Sequence, residues 1–411
     1  MSDPLEVRLE DVGAAAQRIL GVVRRTPLIE APPIPGLPAT GVYLKLENLQ
    51  PIGAFKLRGA ANKILSLSSE EAAHGVIAAS SGNHAQGVAY AARYRGISAT
   101  IVMPRGASPA KVSATRALGA RVLFHGGDFE EADEEALRLS KAEGLVYVHP
   151  FNDPAGIAGQ GTVALEILED LPKTRRIIAG VGGGGLLAGI TVAAKEMDPA
   201  VEIVGVQPAG ADTLRASMEQ GRVVVGEGPK TFADGLATRN IGDLPFRIFQ
   251  HFGIKAFSVD DRSIARSVFL LLENAKLLAE GAGAAPLAAA LAHPEILHDG
   301  PTVLVISGGN LDMLLLDQIL RVGLSTEGRL LRIRAPLRDK PGQLAELLSV
   351  AAGRSANVRQ ILHDRDSSGR SPGEVTVEVE LEVRDAAHAS EVLQAYRDKG
   401  WNVVRVTVGD V

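Results

Sequence analysis

The chain has 411 residues, 46% of them hydrophobic and 22% charged, with a formal net charge of −5. This is a globular composition, long enough for two to three domains and a sizeable core. It contains no cysteine, which excludes a disulfide framework, a thiolate metal site and a cysteine nucleophile; an acidic chain with 4% aromatic residues also lacks the basic and stacking groups of a nucleic-acid binder.

The first residues, Met1-Ser2-Asp3-Pro4-Leu5-Glu6, have neither the basic nor the apolar region of a signal peptide, so a cytoplasmic location is expected. Short apolar runs at 42–46, 75–79, 99–103, 121–124, 176–181, 202–206 and 302–306 read as strands. Amphipathic stretches at 109–118, 130–143 and 159–171 fall between them. Most of the strands are apolar throughout rather than alternating, as parallel strands covered on both faces must be. The pattern predicts an α/β architecture of two lobes with a cleft between them. The apolar stretch 268–292 is broken by Glu273, Lys276 and Glu280, so no membrane-spanning helix is expected there.

Composition changes near residue 328. Of the last 83 positions 25 are charged, against 66 of the first 328, while 39 of the 45 glycines precede the break. Residues 323–328 read as a linker, giving domains at 1–325 and 329–411. The second follows a βαββαβ pattern: a strand at 330–335, a helix opened by Asp339-Lys340-Pro341-Gly342, strands at 358–364 and 375–383 joined by a polar turn at 365–373, a helix at 386–399 and a strand at 402–408. Asp339 is the expected N-cap, Pro341 the first turn and Gly400 the C-cap. Val375, Val377, Val379, Leu381 and Val383 alternate with Thr376, Glu378, Glu380 and Glu382, predicting a ferredoxin-like unit with one buried and one solvated sheet face.

Four clusters carry chemistry. In Pro51-Ile52-Gly53-Ala54-Phe55-Lys56-Leu57-Arg58-Gly59, a lysine lies among apolar and small residues, where desolvation makes an amine nucleophilic. Ser80-Ser81-Gly82-Asn83-His84 offers hydroxyls, an amide and backbone N–H groups at a helix start, a site of carboxylate size. Gly182, Gly183, Gly184, Gly185 and Leu186 lie between a core strand and a helix, a phosphate cradle. Gly180, Gly182 and Gly185 also satisfy a dinucleotide fingerprint, but the next strand ends in Gln207-Pro208 without the acid that a ribose needs. Ser307-Gly308-Gly309-Asn310 ends the last strand, where open sheets place ligands.

Together these motifs, with His149-Pro150-Phe151 and Ile157-Ala158-Gly159-Gln160-Gly161-Thr162, resemble the fold-type II pyridoxal-phosphate enzymes. The likeness is to the threonine dehydratases (threonine ammonia-lyases) and their serine dehydratase and serine racemase relatives, and it covers about the first 325 residues. The last 83 resemble an ACT domain. The resemblance implies a two-lobed, tryptophan synthase β-like fold, its smaller lobe at roughly 53–150 inserted in the larger. It implies pyridoxal 5'-phosphate held as a Schiff base by Lys56 beside Phe55, its phosphate on Gly182, Gly183, Gly184, Gly185 and Leu186, its ring hydroxyl on Asn83 and its pyridine nitrogen on Ser307. Ser80, Ser81, Asn83 and His84 would hold the substrate carboxylate, and Ser81 occupies the position that acts on the opposite face in racemases. The implied activity is deamination of L-threonine to 2-oxobutanoate and ammonia, with L-serine as a side substrate; serine dehydratase or racemase is the alternative. Ala54 stands where most relatives carry serine. Gln207-Pro208 and Thr213 replace the acids of metal-dependent racemases, and 129–135 has no counterpart of the racemases' substrate-side arginine, so no metal is expected. An ACT-like unit implies an amino-acid or nucleotide effector and a homo-oligomer, dimer or tetramer, paired through the strand at 375–383.

Overall fold

The computed structural model describes residues 5–297, 299–364 and 373–406, in two compact units, Met1–Leu311 and Asp312–Val411. Two parallel sheets organise the first unit. The larger runs in the order Leu28–Glu30, Val42–Lys45, Thr302–Val305, Arg176–Gly180, Glu202–Pro208, Lys255–Val259, and only its first pairing is antiparallel. Its central strands are buried at every position but Glu202 because helices cover both faces. The smaller sheet, Arg121–Phe124, Ala99–Met103, Val76–Ala79, Val146–Tyr147, is parallel throughout. Every strand of it falls between Val42–Lys45 and Arg176–Gly180 of the larger sheet, so one lobe is an insertion in the other. Each lobe has its own apolar core: Ile177, Ala179, Leu187 and Ile190 in the larger, Val76, Ala78, Val88 and Ile101 in the smaller.

All seven expected strands are present, with ends moved by at most two residues. Leu28–Glu30, Val146–Tyr147 and Lys255–Val259 were not expected. They are edge strands, half-buried or exposed at most positions, and lack the continuous apolar run that identifies a central strand. The 268–292 stretch is interrupted by a π turn at Leu271–Ala275 and by Lys276 at φ 58° before the helix Gly281–Ala292 starts. No helix among the described residues is long and apolar enough to cross a membrane.

The second unit begins with the helix Met313–Thr326, so residues 323–326, read as linker, are its last turn. Then come Leu330–Arg338, helix Gln343–Ala352, Asn357–Asp364, Glu374–Glu382, helix Ala386–Asp398 and Val404–Arg405. Their antiparallel order, third strand beside the second and the first, first beside the fourth, is that of the expected ferredoxin-like, ACT-like unit. Three expectations change. The helix after Asp339 starts at Gln343, capped by Gly342 at φ +91°; this left-handed turn redirects the chain after Pro341, so neither Asp339 nor Pro341 belongs to the helix. Glu374–Glu382 is interior to the sheet and its backbone is paired on both sides. The edges, Asn357–Asp364 and Val404–Arg405, carry the exposed residues. The outer face is also not fully wet: Glu380 is 8% exposed, held 3.4 Å from Arg332 and 3.8 Å from Arg321 of the first helix, with Glu378 2.6 Å from Arg334. The polar turn expected at 365–373 lies, but for Gly373, outside the described residues.

Candidate active site

The parallel strands of both lobes end at one cavity of about 600 Å³, the position that open α/β sheets reserve for ligands. Phe55, Lys56, Ser80, Ser81, Asn83, His84, Gly182, Gly183, Gly184, Gly185, Leu186 and Ser307 all line it. Four clusters far apart in the sequence are thus brought together.

Lys56 opens the helix Lys56–Ser66. The loop before it is stitched to the end of the last strand: Phe55 N–H donates to the Ser307 carbonyl (3.0 Å) and Gly309 N–H to the Gly53 carbonyl (2.9 Å). Ser307 therefore enters the cavity beside Lys56. Lys56 Nζ donates to the Pro150 carbonyl at 2.7 Å and lies 5.3 Å above the Phe55 ring. Burial pushes its pKa down to about 8, against a smaller upward pull from Glu280, so the free amine is accessible near neutrality. Ala54 is fully buried and brings no hydroxyl.

The glycine turn joins Arg176–Gly180 to the helix Gly185–Met197. Gly184 caps that helix at φ +96°, a conformation that side chains resist. A Cβ on Gly183 would sit 2.2 Å from the Phe151 ring, so the bare backbone is a packing requirement. The N–H groups of the first turn have no intrahelical acceptors and are a ready anion site. Beside them, the buried Thr238 Oγ1 has no hydrogen-bond partner among the described residues.

Ser80 Oγ accepts from Gly82 N–H at 3.1 Å, and Asn83 opens the helix Asn83–Arg95. Asn83 Nδ2 donates to Glu280 Oε1 (2.6 Å), while its Oδ1 accepts from Asn310 Nδ2 (2.7 Å). The His84 ring turns away: it is 5% exposed, with Nε2 2.8 Å from the Val148 carbonyl. What His84 can offer a ligand is its backbone N–H in the first helical turn.

Burial, then the Lys56 charge, lowers the His84 pKa to about 3. The folded pKa lies below the unfolded value of about 6.5, so the unfolded chain binds the extra proton; stability is full above pH 6.5 and is lost as pH falls towards 3. At about 1.4 kcal/mol per pH unit, acidification from pH 7 to 4 should cost on the order of 3 kcal/mol through this residue. His84→Gln keeps a donor for Val148 and removes the titration. Thermal unfolding of both proteins at pH 7 and 4 should show the variant losing less; equal losses would mean that His84 is not buried neutral.

Sequence reasoning missed several cavity residues. Glu280 entered only as a charge interrupting an apolar stretch, and no local motif marks it. Phe151 and the Pro150 carbonyl sit in a segment noted for similarity alone; the half-buried His149, accepting the Phe151 and Asn152 N–H groups on Nδ1, holds that turn. Lys111–Asp234 (2.6 Å), Arg239–Glu130 (3.3 Å) and Arg239–Asp128 (3.7 Å) join the smaller lobe to the turn after 233 at the cavity mouth. They come from segments with no functional pattern.

Residues 19–308 match the family described as pyridoxal-phosphate dependent enzyme, and the chain belongs to that family. It is 45% identical, over 97% of its length and 99% of the relative's, to the L-threonine ammonia-lyase of Thermotoga maritima. Among solved structures, the processed form of threonine deaminase isoform 2 from Solanum lycopersicum (TM-score 0.69, 34% identity) aligns over 76% of this chain and 93% of its own. Maize serine racemase (TM-score 0.71, 33% identity) aligns over 78% and 99%.

The residues fit the family's cofactor. A phosphate needs a cradle without side chains, which the Gly183–Phe151 contact enforces, and the unsatisfied Thr238 hydroxyl lies beside it. An aldehyde needs an amine of lowered pKa, which Lys56 supplies.

Proposed function

We propose that this chain is an L-threonine ammonia-lyase that also accepts L-serine. One observation carries the reading: the Lys56 amine, the glycine turn, Ser307 and the Ser80-Ser81-Gly82-Asn83-His84 helix start all line one cavity. The relative's 45% identity over nearly the whole chain supports it.

Lys56 Nζ would carry the cofactor. The Gly182-to-Leu186 turn would hold its phosphate, Asn83 its ring hydroxyl and Ser307 its pyridine nitrogen. Bound pyridoxal phosphate supplies an electron sink for the negative charge left at Cα of the substrate. The chain does the rest. Ser80, Ser81, Asn83 and the His84 N–H fix the substrate carboxylate, which orients the Cα–H bond. Lys56 Nζ takes the Cα proton as general base, the Pro150 carbonyl holding the amine in place. The β-hydroxyl and the proton taken from Cα leave together as water, and a second water later releases ammonia and 2-oxobutanoate. A serine hydroxyl in place of a carboxylate would offer the pyridine nitrogen a hydrogen bond without a charge, a choice that would favour elimination over transamination.

The decisive experiment follows 2-oxo acid formed from L-threonine and L-serine. We expect kcat/KM for threonine to be higher by about tenfold or more, the scale of one methyl group in a fitted pocket. Loss of chirality in the remaining serine would point instead to a racemase. The C-terminal unit is read as regulatory, within a homo-oligomer of two or four chains. Initial rates with isoleucine, valine and AMP identify the effector; rates indifferent to all three, with a monomer by light scattering, would reject that part.

A further inference from the structure

Glu280 is tied to the site from both its backbone and its side chain. Its N–H donates to the Gly308 carbonyl and its carbonyl accepts from Ala284 N–H, each at 3.0 Å, so its backbone is pinned to the loop that carries Ser307. Its carboxylate lies against bare backbone: a Cβ on Gly308 would approach Oε1 to 2.1 Å. Asn310 Nδ2 donates to Asn83 Oδ1 (2.7 Å) and to the Ile52 carbonyl (2.8 Å), which uses both of its protons. The Asn83 amide is thereby oriented, oxygen towards Asn310 and nitrogen towards Glu280. One Asn83 proton goes to Glu280, and the second is left for a ligand in the cavity.

We propose that Glu280 is a positioning residue which, acting through Asn83, makes the environment of the bound cofactor depend on pH. The inference rests on the proposed role of Asn83 at the cofactor ring. As a carboxylate, Glu280 accepts a charge-assisted bond that locks Asn83 as a donor towards the ring oxygen. Once protonated, it accepts more weakly and Asn83 is freed. The groups around Glu280 are Asn83 on the helix Asn83–Arg95, Lys56 and Lys111 on two further helices, Asp234 on the turn before Leu236, and the Gly308 backbone. Burial raises the Glu280 pKa to about 7; the Asn83 bond, Lys111 and Lys56 oppose the rise and Asp234 adds to it. The switch between the two states therefore lies near neutrality.

The test uses holoenzyme and needs no substrate, so its outcome is separable from that of the threonine assay. The absorption band of bound cofactor is titrated from pH 5.5 to 9 in wild type and in Glu280→Gln, which keeps an acceptor oxygen for Asn83 but has no charge to lose. Wild type should show an inflection near pH 7 that Glu280→Gln lacks. The affinity of the apo-variant for pyridoxal phosphate should fall by about tenfold, the scale of one charge-assisted hydrogen bond. The same inflection in Glu280→Gln overturns the proposal. Should that variant not fold, Asn83→Ala serves: with the linking amide gone the inflection should vanish although Glu280 remains, and its persistence is equally fatal.

Discussion

Lys56→Ala should lower 2-oxo acid formation from L-threonine by at least about a thousandfold while leaving the fold intact. The size follows from the two tasks read for one atom, carrying the cofactor and taking the Cα proton, each worth orders of magnitude. The intact fold follows from position. Lys56 is the first residue of its helix, where alanine is a good helix former, and its amine binds one carbonyl that faces the cavity. The side chain lost is therefore an ammonium that burial already disfavours. Far-ultraviolet circular dichroism should match wild type and the thermal midpoint should match that of wild type stripped of cofactor, and the visible band of bound cofactor should be missing. Activity within tenfold of wild type would remove Lys56 from the chemistry.

Arg58, two residues further on, should be as costly for stability as Lys56 is for activity. It is fully buried, with Nε 2.7 Å from Glu47 Oε2 and Nη1 2.7 Å from Glu166 Oε1. Nη1 also reaches Thr162 Oγ1 at 3.0 Å and Nη2 the Arg24 carbonyl at 3.3 Å. Lys45 completes the cluster, 2.5 Å from Glu166 and 2.7 Å from the Thr26 carbonyl. Burial works against Glu47's charge, but Arg58 prevails and holds its pKa below the ordinary value. Arg58→Met strands that carboxylate without its counter-ion, at a cost of about 3–5 kcal/mol. Adding Glu47→Gln removes the stranded charge, so the double variant should be more stable than Arg58→Met alone. Chemical unfolding of wild type, Arg58→Met, Glu47→Gln and the double variant measures this. A double variant that loses as much as the sum of the singles would show that the pair is not coupled.

The strands were legible because parallel strands buried on both faces require unbroken apolar runs such as Ile177-Ile178-Ala179 and Val303-Leu304-Val305. The site was legible where its chemistry depends on local sequence. A phosphate turn has to be glycine between strand and helix, and a helix-start anion site has to be small and polar. Glu280 was illegible for the opposite reason: its partners Asn83, Lys56 and Gly308 are set by folding and not by spacing. The same holds for Glu380. It follows the alternation of a wet face, yet is covered by Arg332 and by Arg321 from a helix whose last turn looks like a linker. Asp339 had every local mark of an N-cap; the left-handed Gly342 moved the helix start three residues on.

The ion pairs at the cavity mouth have a kinetic consequence. Exposed pairs of this kind are worth at most about 1 kcal/mol each and weaken further at physiological ionic strength. Lys111, Asp234, Arg239, Glu130 and Asp128 therefore act as a clasp that thermal motion undoes readily, not as a lock. Their cationic heads and carboxylates are mutually satisfied, so an arriving amino acid, itself carrying both charges, can exchange with them pair for pair. Entry and exit then need no strong field of either sign.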